Sequence, residues 1–289
     1  MSRALPATKQ TSGRMPPIDS TEALAAAGLL ADAIADCRDD PNFVTALARG
    51  LAVILSFSAQ RGRMTIAQVS QRTGIPRAAV RRSLHTLAAL GFAAADDSGR
   101  FYLRPRVLSI SHAYLSTSPL PLLAQPVLNR LGDGLNEACS LAILDGDEIV
   151  YLARSASSRI MSPALNVGRR LPAYCTSIGQ VLLAHLPPDE LDGYLKRTRL
   201  HRFTEHTVTS PKQLVALLRK VRDAGYVVAS QQMESRLCTL AVPVRDTSGR
   251  FVAGMNVILG RPMAETDMVA RFLQPLQSAA AELGSLLLP

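Results

Sequence analysis

Apolar and polar positions alternate at helical spacing in residues 65–91, and two glycines and a proline divide this stretch into two short helices. Thr65 and Gln68 form a capping-box pattern at the start of the first helix, and Gly74 is expected to end it. Pro76 suits the first turn of the second helix. The second helix carries one apolar stripe, which consists of Val80, Leu84, Leu87 and Leu90. The pattern predicts a helix-turn-helix.

The opposite face of the second helix is polar and basic. It consists of Arg77, Ala78, Arg81, Arg82 and His85. Such a face fits the major groove of DNA, and Ala78 and Ala79 are small enough to allow a close approach. From the first helix, the candidate DNA contacts are Thr65, Gln68 and Arg72. The alternative is a solvated helix surface, which most charged helical stretches are.

The stretch 92–108 predicts two short strands joined by a tight turn at Asp97, Ser98 and Gly99. Arg100 and Arg104 would bring positive charge beside the adjacent DNA backbone or minor groove. Residues 43–57 carry apolar residues at helical spacing and supply a packing helix. Together with the helix-turn-helix, these elements predict a winged helix.

Positive charge is concentrated in this part of the chain. The 289 residues have a formal net charge of +9, and residues 43–106 contain ten arginines against only Asp96 and Asp97 as acidic residues. A protein that neutralises phosphates and releases their counterions is expected to concentrate charge in this way beside a helix-turn-helix. The charge therefore favours double-stranded DNA as a partner over a merely solvated surface.

Composition limits the remaining classes. The length exceeds one average domain, and 47% hydrophobic residues suffice for ordinary cores. Four scattered cysteines form no CxxC pair, which favours a reducing cytoplasm and argues against a structural metal. The start of the chain has no apolar signal segment, and prolines, serines and a histidine break the longest uncharged run, 107–129. We expect a cytoplasmic protein without membrane span or cofactor.

The chain as a whole predicts an α+β protein in three parts. Residues 1–42 form a disordered tail and a helical arm (20–37), residues 43–105 the winged helix, and residues 106–289 a second domain. A linker helix at 107–116 precedes Pro119 and Pro121, which mark the start of the second domain. In that domain, helices are expected at 122–135, after Thr176 or Ser177, after Pro187 and Pro188, and at 211–224. Strands are expected at 138–144, 148–154, 160–167, 226–230, 239–244 and 250–259, as an antiparallel sheet with helices on its faces.

Three sequence blocks together resemble the IclR family of transcriptional regulators. They are ARGLAVILSF leading into TGIPRAAVRRSLHTLAALGF, then LPAYCTSIGQVLLA, then DAGYVVASQQMESRLCTLAVPVRDTSGRFVAGMNV, and the resemblance covers the chain from Phe43 onward. It implies a winged helix followed by a GAF-like effector domain, in a homodimer or tetramer that binds a palindromic operator. RNA polymerase is a further partner if the regulator is an activator.

The stretch DPNFVTALARGLAVI, preceded by an extra helix, is similar to a narrower subgroup. That subgroup controls protocatechuate, 4-hydroxybenzoate and β-ketoadipate catabolism, so a small and possibly aromatic carboxylate is the expected effector. The alternative is an IclR-type regulator of another small carboxylate pathway, such as that of glyoxylate or acetate.

The resemblance implies an effector pocket between the sheet and the helix that starts near Thr176. In the family, the amides at the positions of Ser177 and Ile178 face the ligand, and Thr239 and Asn256 line the opposite wall; free amides at a helix N-terminus bind carboxylates well. The family often has an acidic stretch where this chain has residues 229–232 (ASQQ), which favours an anionic or bulkier effector.

Three further residues are candidates for the same pocket. Tyr174 would stack on an aromatic ligand, and Arg159 or Arg169 would pair with a carboxylate. The alternatives are core packing for the tyrosine and a solvated surface for the arginines.

The residues leave two other function classes open. Cys175 lies at a helix N-terminus, where the pKa of a thiol falls, and His201, Glu205 or His206 would supply a base for a Cys-dependent enzyme. A small buried core cysteine beside a polar surface loop is the simpler interpretation. An architectural DNA-binding protein without ligand sensing would leave the second domain unused. We expect a regulator and not an enzyme.

Overall fold

In the computed structural model, the described residues are 34, 36, 37, 39–58, 60–155 and 166–288. The chain divides into two compact units, with the boundary between Val107 and Leu108. The predicted tail, most of the predicted helical arm, Arg159 and most of the strand predicted at 160–167 lie outside the described residues.

The first unit contains the predicted winged helix. Its elements are helices α1 (Thr45–Leu55), α2 (Ile66–Thr73) and α3 (Arg77–Ala89), followed by strands β1 (Ala93–Ala95) and β2 (Phe101–Leu103). The two strands pair antiparallel, with Ala94 opposite Tyr102. A further bridge between Met64 and Phe101 ties the segment before α2 to the hairpin.

Helix α2 begins and ends where the sequence predicts. The Gln68 amide donates to the Thr65 hydroxyl (3.3 Å) and the Thr65 amide donates to the Gln68 side chain (2.9 Å), which completes the capping box. Gly74 ends the helix at a φ of 68°, a left-handed conformation that glycine adopts without a Cβ penalty. Pro76 is the N-cap of α3 and not a residue of its first turn.

The core of the first unit lies where the three helices meet. Val80, Leu84 and Leu87 of the predicted stripe are buried, together with Val53 of α1 and Val69 of α2. The fourth stripe residue was wrongly assigned: Leu90 is 54% exposed. Helix α3 ends at Ala89, so Leu90 is its C-cap and lies at the end of the stripe.

The second unit is built on an antiparallel sheet. It begins with helices α4 (Leu108–Thr117) and α5 (Pro119–Leu135), then strands β3 (Ala138–Asp145), β4 (Glu148–Arg154) and β5 (Arg170–Pro172). Next come helices α6 (Ser177–Ala184), α7 (Pro188–Arg197) and α8 (Pro211–Ala224), and strands β6 (Val227–Ser230), β7 (Cys238–Arg245) and β8 (Phe251–Leu259). Helices α9 (Glu265–Met268) and α10 (Gln274–Ser285), joined by a π-helical turn, close the unit.

Apart from the strand predicted at 160–167, the predicted strands and helices of this unit are confirmed to within a few residues, with three differences. Pro119 and Pro121 lie in the first turn of α5, inside the second unit, and do not mark its start. Strand β5 and the C-terminal helices α9 and α10 are not predicted by the sequence analysis.

The described strands are ordered β5-β4-β3-β8-β7-β6, and all neighbours are antiparallel. Helices α5 and α10 pack on one face of the sheet, where Leu128 and Leu283 join sheet residues such as Leu141, Leu240 and Val257 in the main core. Helix α6 packs on the other face, with α8 against it.

One irregularity in the sheet changes which side chains share a face. Ala142 pairs with Tyr151 but Leu141 pairs with Ala153, so strand β4 carries one extra residue at this point. Such a β-bulge shifts the alternation of side chains along the strand. Ser140 pairs with Arg154, and Tyr151 and Arg154 therefore both lie on the face that α6 covers.

Candidate DNA-binding surface and effector site

Helix α3 presents an exposed basic face. Arg77, Arg81 and His85 follow one another at intervals of four residues and lie on one side of the helix, with Ala78 and Arg82 beside them. All five residues are exposed. Helices α2 and α3 contain no acidic residue, and the three arginines make no ion pair within the described part of the chain. Their charge is therefore available to a phosphate or a base edge.

Two predicted DNA contacts do not belong to this face. Ala79 is 7% exposed because α1 packs against α3 on that side, so the prediction that Ala79 approaches the groove is wrong. Arg72 is buried at the end of α2, and its Nε and Nη2 have no hydrogen-bond partner among the described residues. Burial, and then the charge of Arg61, lower the pKa of Arg72. The side chains of Thr65 and Gln68 are engaged with each other in the capping box.

The turn of the hairpin is held by one carboxylate. Asp96 accepts hydrogen bonds from the Ser98 hydroxyl (2.6 Å), the Ser98 amide (3.1 Å) and the Arg100 amide (3.0 Å). These bonds, with that of the Ser98 hydroxyl the largest cause, lower the pKa of Asp96 to about 2. Gly99 completes the turn at a φ of 72°. The turn leaves Arg100 and Arg104 exposed, as a wing requires.

A third wing arginine was missed by the sequence analysis. Arg63 precedes α2, and the bridge between Met64 and Phe101 brings it to the hairpin. Its Nη1 lies 2.9 Å from Asp96 Oδ2, and its guanidinium lies 4.4 Å from the centre of the Tyr102 ring. Arg63 lies at the wing only because the segment before α2 pairs with β2, and β2 is distant from Arg63 in sequence.

In the second unit, a cavity of about 40 Å³ lies between the sheet and the N-terminus of α6. It is lined by residues of the sheet, of the start of α6 and of the segment between β6 and β7, and these are Tyr151, Leu171, Cys175, Thr176, Ser177, Ala229, Gln232, Met233, Leu237, Thr239, Asn256 and Ile258. The structure thus brings together Ser177, Thr239 and Asn256 of the predicted effector residues.

The N-terminus of α6 is held tightly against its surroundings. The Thr176 hydroxyl caps the helix by accepting a hydrogen bond from the Gly179 amide (3.2 Å). The amides of Ser177 and Ile178 have no acceptor within the helix, as at any helix start. A Cβ at Gly179 would lie 2.1 Å from the Ala173 carbonyl oxygen, so only glycine fits. The Ile178 side chain instead packs on the sheet at Gly254.

Several buried polar groups surround the cavity. Asn256 Nδ2 donates to Ser177 Oγ (3.4 Å), whereas Asn256 Oδ1 has no hydrogen-bond partner among the described residues. Burial raises the pKa of Tyr151, although the charge of Arg154 and a hydrogen bond from Asn256 act in the opposite direction. Gln180 Nε2 donates to Oε1 of Gln232 (2.9 Å), which lines the cavity.

The aromatic residue at the cavity is Tyr151 and not Tyr174. Tyr174 is 1% exposed, and its hydroxyl donates to the His201 carbonyl oxygen (2.7 Å), so the prediction that it stacks on a ligand is wrong. Arg169 is half-buried, and its carbonyl oxygen accepts a hydrogen bond from the Tyr151 amide (3.0 Å). Since Tyr151 lies within an ordinary apolar strand pattern, its role at the cavity has no sequence signal of its own.

Cys175 does not have the environment of a nucleophile. Burial raises the pKa of its thiol, contrary to the lowering expected at a helix N-terminus, and its Sγ lies 2.9 Å from Met233 Sδ. His201, Glu205 and His206 lie exposed on the loop before α8. That loop is not solely a polar surface, because the Thr204 and Thr207 hydroxyls donate to the carbonyl oxygens of residues 231 and 232.

No helix within the described residues is both long and apolar enough to cross a membrane. Within the same residues, no cluster of three or more His, Cys, Asp or Glu side chains is placed to hold a metal ion.

A winged helix with an exposed basic face, followed by an antiparallel-sheet unit that encloses a small cavity, is the architecture of a DNA-binding transcriptional regulator with a second domain. The chain belongs to the IclR family of transcriptional regulators: residues 46–97 match the IclR helix-turn-helix domain, and residues 112–285 match the bacterial transcriptional regulator IclR C-terminal domain.

Individual relatives agree with this assignment. The Pca regulon regulatory protein of Pseudomonas putida is 48% identical over 248 residues, which are 84% of each chain. The p-hydroxybenzoate hydroxylase transcriptional activator of Acinetobacter baylyi is 34% identical, over 85% of this chain and 92% of the relative. The crystal structure of an IclR homolog from Microbacterium hydrocarbonoxydans, complexed with 4-hydroxybenzoate, is 27% identical, covers 83% of this chain and 97% of its own, and has a TM-score of 0.69. These relatives are regulators, so the protein is a transcriptional regulator and not a Cys-dependent enzyme.

Proposed function

We propose that this regulator controls genes of aromatic acid catabolism in response to a small carboxylate, namely 4-hydroxybenzoate, protocatechuate or β-ketoadipate. The observation that carries the proposal is the cavity at the N-terminus of α6, which Ser177 lines together with Thr239 and Asn256. The relatives named as a Pca regulon regulator and a p-hydroxybenzoate hydroxylase activator support the same pathway.

We assign DNA binding to the first unit. The protein would bind a palindromic operator as a homodimer or tetramer. In this proposal the exposed face of α3 enters the major groove, where Arg77, Arg81 and Arg82 contact base edges or phosphates. His85 and Ala78 lie beside them, and Arg100 and Arg104 contact the backbone from the wing.

Effector binding is assigned to the second unit, with the carboxylate at the amides of Ser177 and Ile178. The cavity of about 40 Å³ has room for water but not for an aromatic acid. Binding therefore requires the cavity to widen. We assign this widening to residues 232–237, which contribute to the lining of the cavity and lie in neither a helix nor a strand. The segment follows Gln231, whose φ of 57° is an unfavourable left-handed conformation for a residue other than glycine.

The two sites must be coupled if the effector is to regulate transcription. A coupling free energy of about 1–3 kcal/mol changes operator affinity by about 5- to 150-fold, and the operator must change effector affinity by the same factor. RNA polymerase is a further partner if the regulator activates its promoter.

Operator binding with and without each acid tests this proposal. The purified full chain is titrated against DNA from its own gene neighbourhood, in the presence of 4-hydroxybenzoate, protocatechuate or β-ketoadipate. A specific complex whose affinity changes with one acid supports the proposal. A specific complex that is indifferent to all three acids overturns the aromatic assignment, and the absence of any specific complex overturns the proposed operator.

Two variants assign the effects to the two units. Asn256→Leu is expected to abolish the response to the acid and to leave operator binding unchanged, because Asn256 lines the cavity. Arg81→Ala is expected to weaken operator binding and to leave binding of the acid unchanged. If Asn256→Leu loses both activities equally, Asn256 has only a structural role.

A further inference from the structure

Four polar side chains meet on the sheet face that α6 covers, although their spacing in sequence does not predict it. Tyr151 and Arg154 are three residues apart, and regular alternation would place them on opposite faces. The bulge in β4 brings both to the same face, because Tyr151 lies opposite Ala142 and Arg154 lies opposite Ser140. Ser140 in turn lies opposite Asn256 on β8.

Arg154, Ser140 and Asn256 thus form a row across three adjacent strands, which we call the polar row. Neighbouring strands are about 4.8 Å apart, so the row spans about 10 Å. One end of the row contacts α6, where Asn256 Nδ2 lies 3.4 Å from Ser177 Oγ. The other end carries the guanidinium of Arg154, which is half-buried.

Two oxygen atoms of the polar row are buried without hydrogen bonds. Ser140 is 0% exposed and Asn256 is 2% exposed, and neither Ser140 Oγ nor Asn256 Oδ1 has a partner among the described residues. Asn256 lines the cavity, and Ser140 lies opposite Asn256 on the neighbouring strand. An unsatisfied buried polar atom costs about 1–3 kcal/mol, so two such atoms at neighbouring positions need a reason. A ligand that supplies the missing hydrogen bond is such a reason.

Positive charge near Tyr151 indicates the chemistry of that ligand. Arg169 continues the ladder opposite Tyr151, because the Tyr151 amide donates to the Arg169 carbonyl oxygen (3.0 Å), and residues opposite each other in an antiparallel pair share a face. Arg154 and Arg169 both act by their charge on the Tyr151 hydroxyl. The part of the sheet beside Tyr151 therefore favours an oxygen atom that is negatively charged or accepts hydrogen bonds.

We propose that the polar row is a second recognition point in the effector site, which binds an oxygen-bearing group at the end of the effector opposite its carboxylate. The carboxylate lies at the amides of Ser177 and Ile178, and a hydroxyl or second carboxylate reaches Ser140 and Arg154. The effector is then an acid with two polar ends. This inference rests on the proposed function, since it places both ends of the same ligand.

Pairs of acids that differ only at the far end test the inference. 4-Hydroxybenzoate is compared with benzoate, and β-ketoadipate with levulinate, by calorimetric titration of the full chain. In at least one pair, wild type is expected to bind the acid with two polar ends about tenfold more tightly than the acid with one. The reason is that the acid with one polar end leaves a buried polar group of the protein without a hydrogen-bond partner. Ser140→Ala is expected to reduce this preference by about tenfold and to leave the affinity for the one-ended acid unchanged.

A matched serine separates recognition from stability. Ser155 is buried like Ser140, but its Oγ accepts a hydrogen bond from the Cys139 amide (3.1 Å). Ser155→Ala is therefore expected to lower the Tm and to keep the ligand preference. Ser140→Ala removes an unsatisfied hydroxyl, so the Tm of the ligand-free protein is expected to stay equal or rise.

The outcomes distinguish this inference from the proposed function. If wild type binds both members of each pair equally, or if Ser140→Ala behaves like Ser155→Ala, the polar row has no recognition role while the effector assignment stands. If wild type binds none of the four acids, and protocatechuate titrated in the same way does not bind either, both proposals are overturned.

Discussion

Replacing Gly254 by alanine tests how α6 is seated on the sheet. A Cβ at residue 254 would lie 2.7 Å from Ile178 Cγ2, but 3.4 and 3.5 Å from Ile178 Cβ and Cα. Only the Cγ2 methyl group is therefore too close. Leucine has no such methyl group on its Cβ, so Ile178→Leu should remove the obstacle and leave the residue apolar.

The structure sets the size of the effect. Overpacking a buried site costs about 1–3 kcal/mol, and Ile178 is 0% exposed. Alanine recovers about 0.5–1 kcal/mol over glycine inside a strand, so Gly254→Ala should destabilise the second unit by about 0.5–2 kcal/mol. Ile178→Leu alone should cost less than about 1.5 kcal/mol. In the double variant the contact is absent, and the two changes should be coupled by about 1–3 kcal/mol.

Urea unfolding followed by circular dichroism measures this coupling, since the chain contains no tryptophan. Gly179→Ala is the control, because its Cβ would meet the backbone of Ala173 at 2.1 Å and Ile178→Leu cannot relieve that contact. Effector affinity should fall in Gly254→Ala and recover in the double variant, since the two amides to which we assign the effector carboxylate move with α6. If the double variant costs the sum of the single variants, Ile178 is not the obstacle and the reasoning is refuted.

Three shorter predictions concern the other contacts. Arg81→Ala should reduce the slope of log operator affinity against log salt by about 0.9 for each winged helix bound, and an unchanged slope in a salt titration would show that Arg81 contacts no phosphate. The Asp96 carboxylate stabilises the wing above its ordinary pKa of 3.8, and this stabilisation should disappear as the pH falls towards about 2, so the Tm difference between wild type and Asp96→Asn should vanish over that range. Thr176→Val should cost about 1 kcal/mol of unfolding free energy through loss of the α6 cap, and a neutral result in urea unfolding would contradict the capping role.

Local signals in the sequence were sufficient for the helix ends and turns. The capping box at Thr65, the left-handed Gly74 and the cap at Thr176 depend on residues within a few positions of each other. The same holds for the turn that Gly99 completes. Because the interactions are local, the residue types alone predict them.

Non-local contacts limited the prediction of the sites. Ala79 flanks the apolar stripe of α3, and only the packing of α1 decides that it is buried. Tyr174 and Tyr151 are both tyrosines next to apolar residues, and the hydrogen bond to residue 201 and the bulge in β4 decide which of them faces the cavity. Arg63 reaches the wing only through pairing with β2.

If the effector binds in the cavity beside α6, the small volume of that cavity affects the effector concentration at which the regulator responds. If only a small fraction of molecules has a cavity wide enough for the effector, the apparent dissociation constant is the intrinsic one divided by that fraction. A cell would then switch the genes only after the acid has accumulated above a threshold. Substitutions at Met233 or Leu237 would shift this threshold without touching the DNA-binding surface, so the metabolite concentration that triggers a response can be retuned independently of the operator.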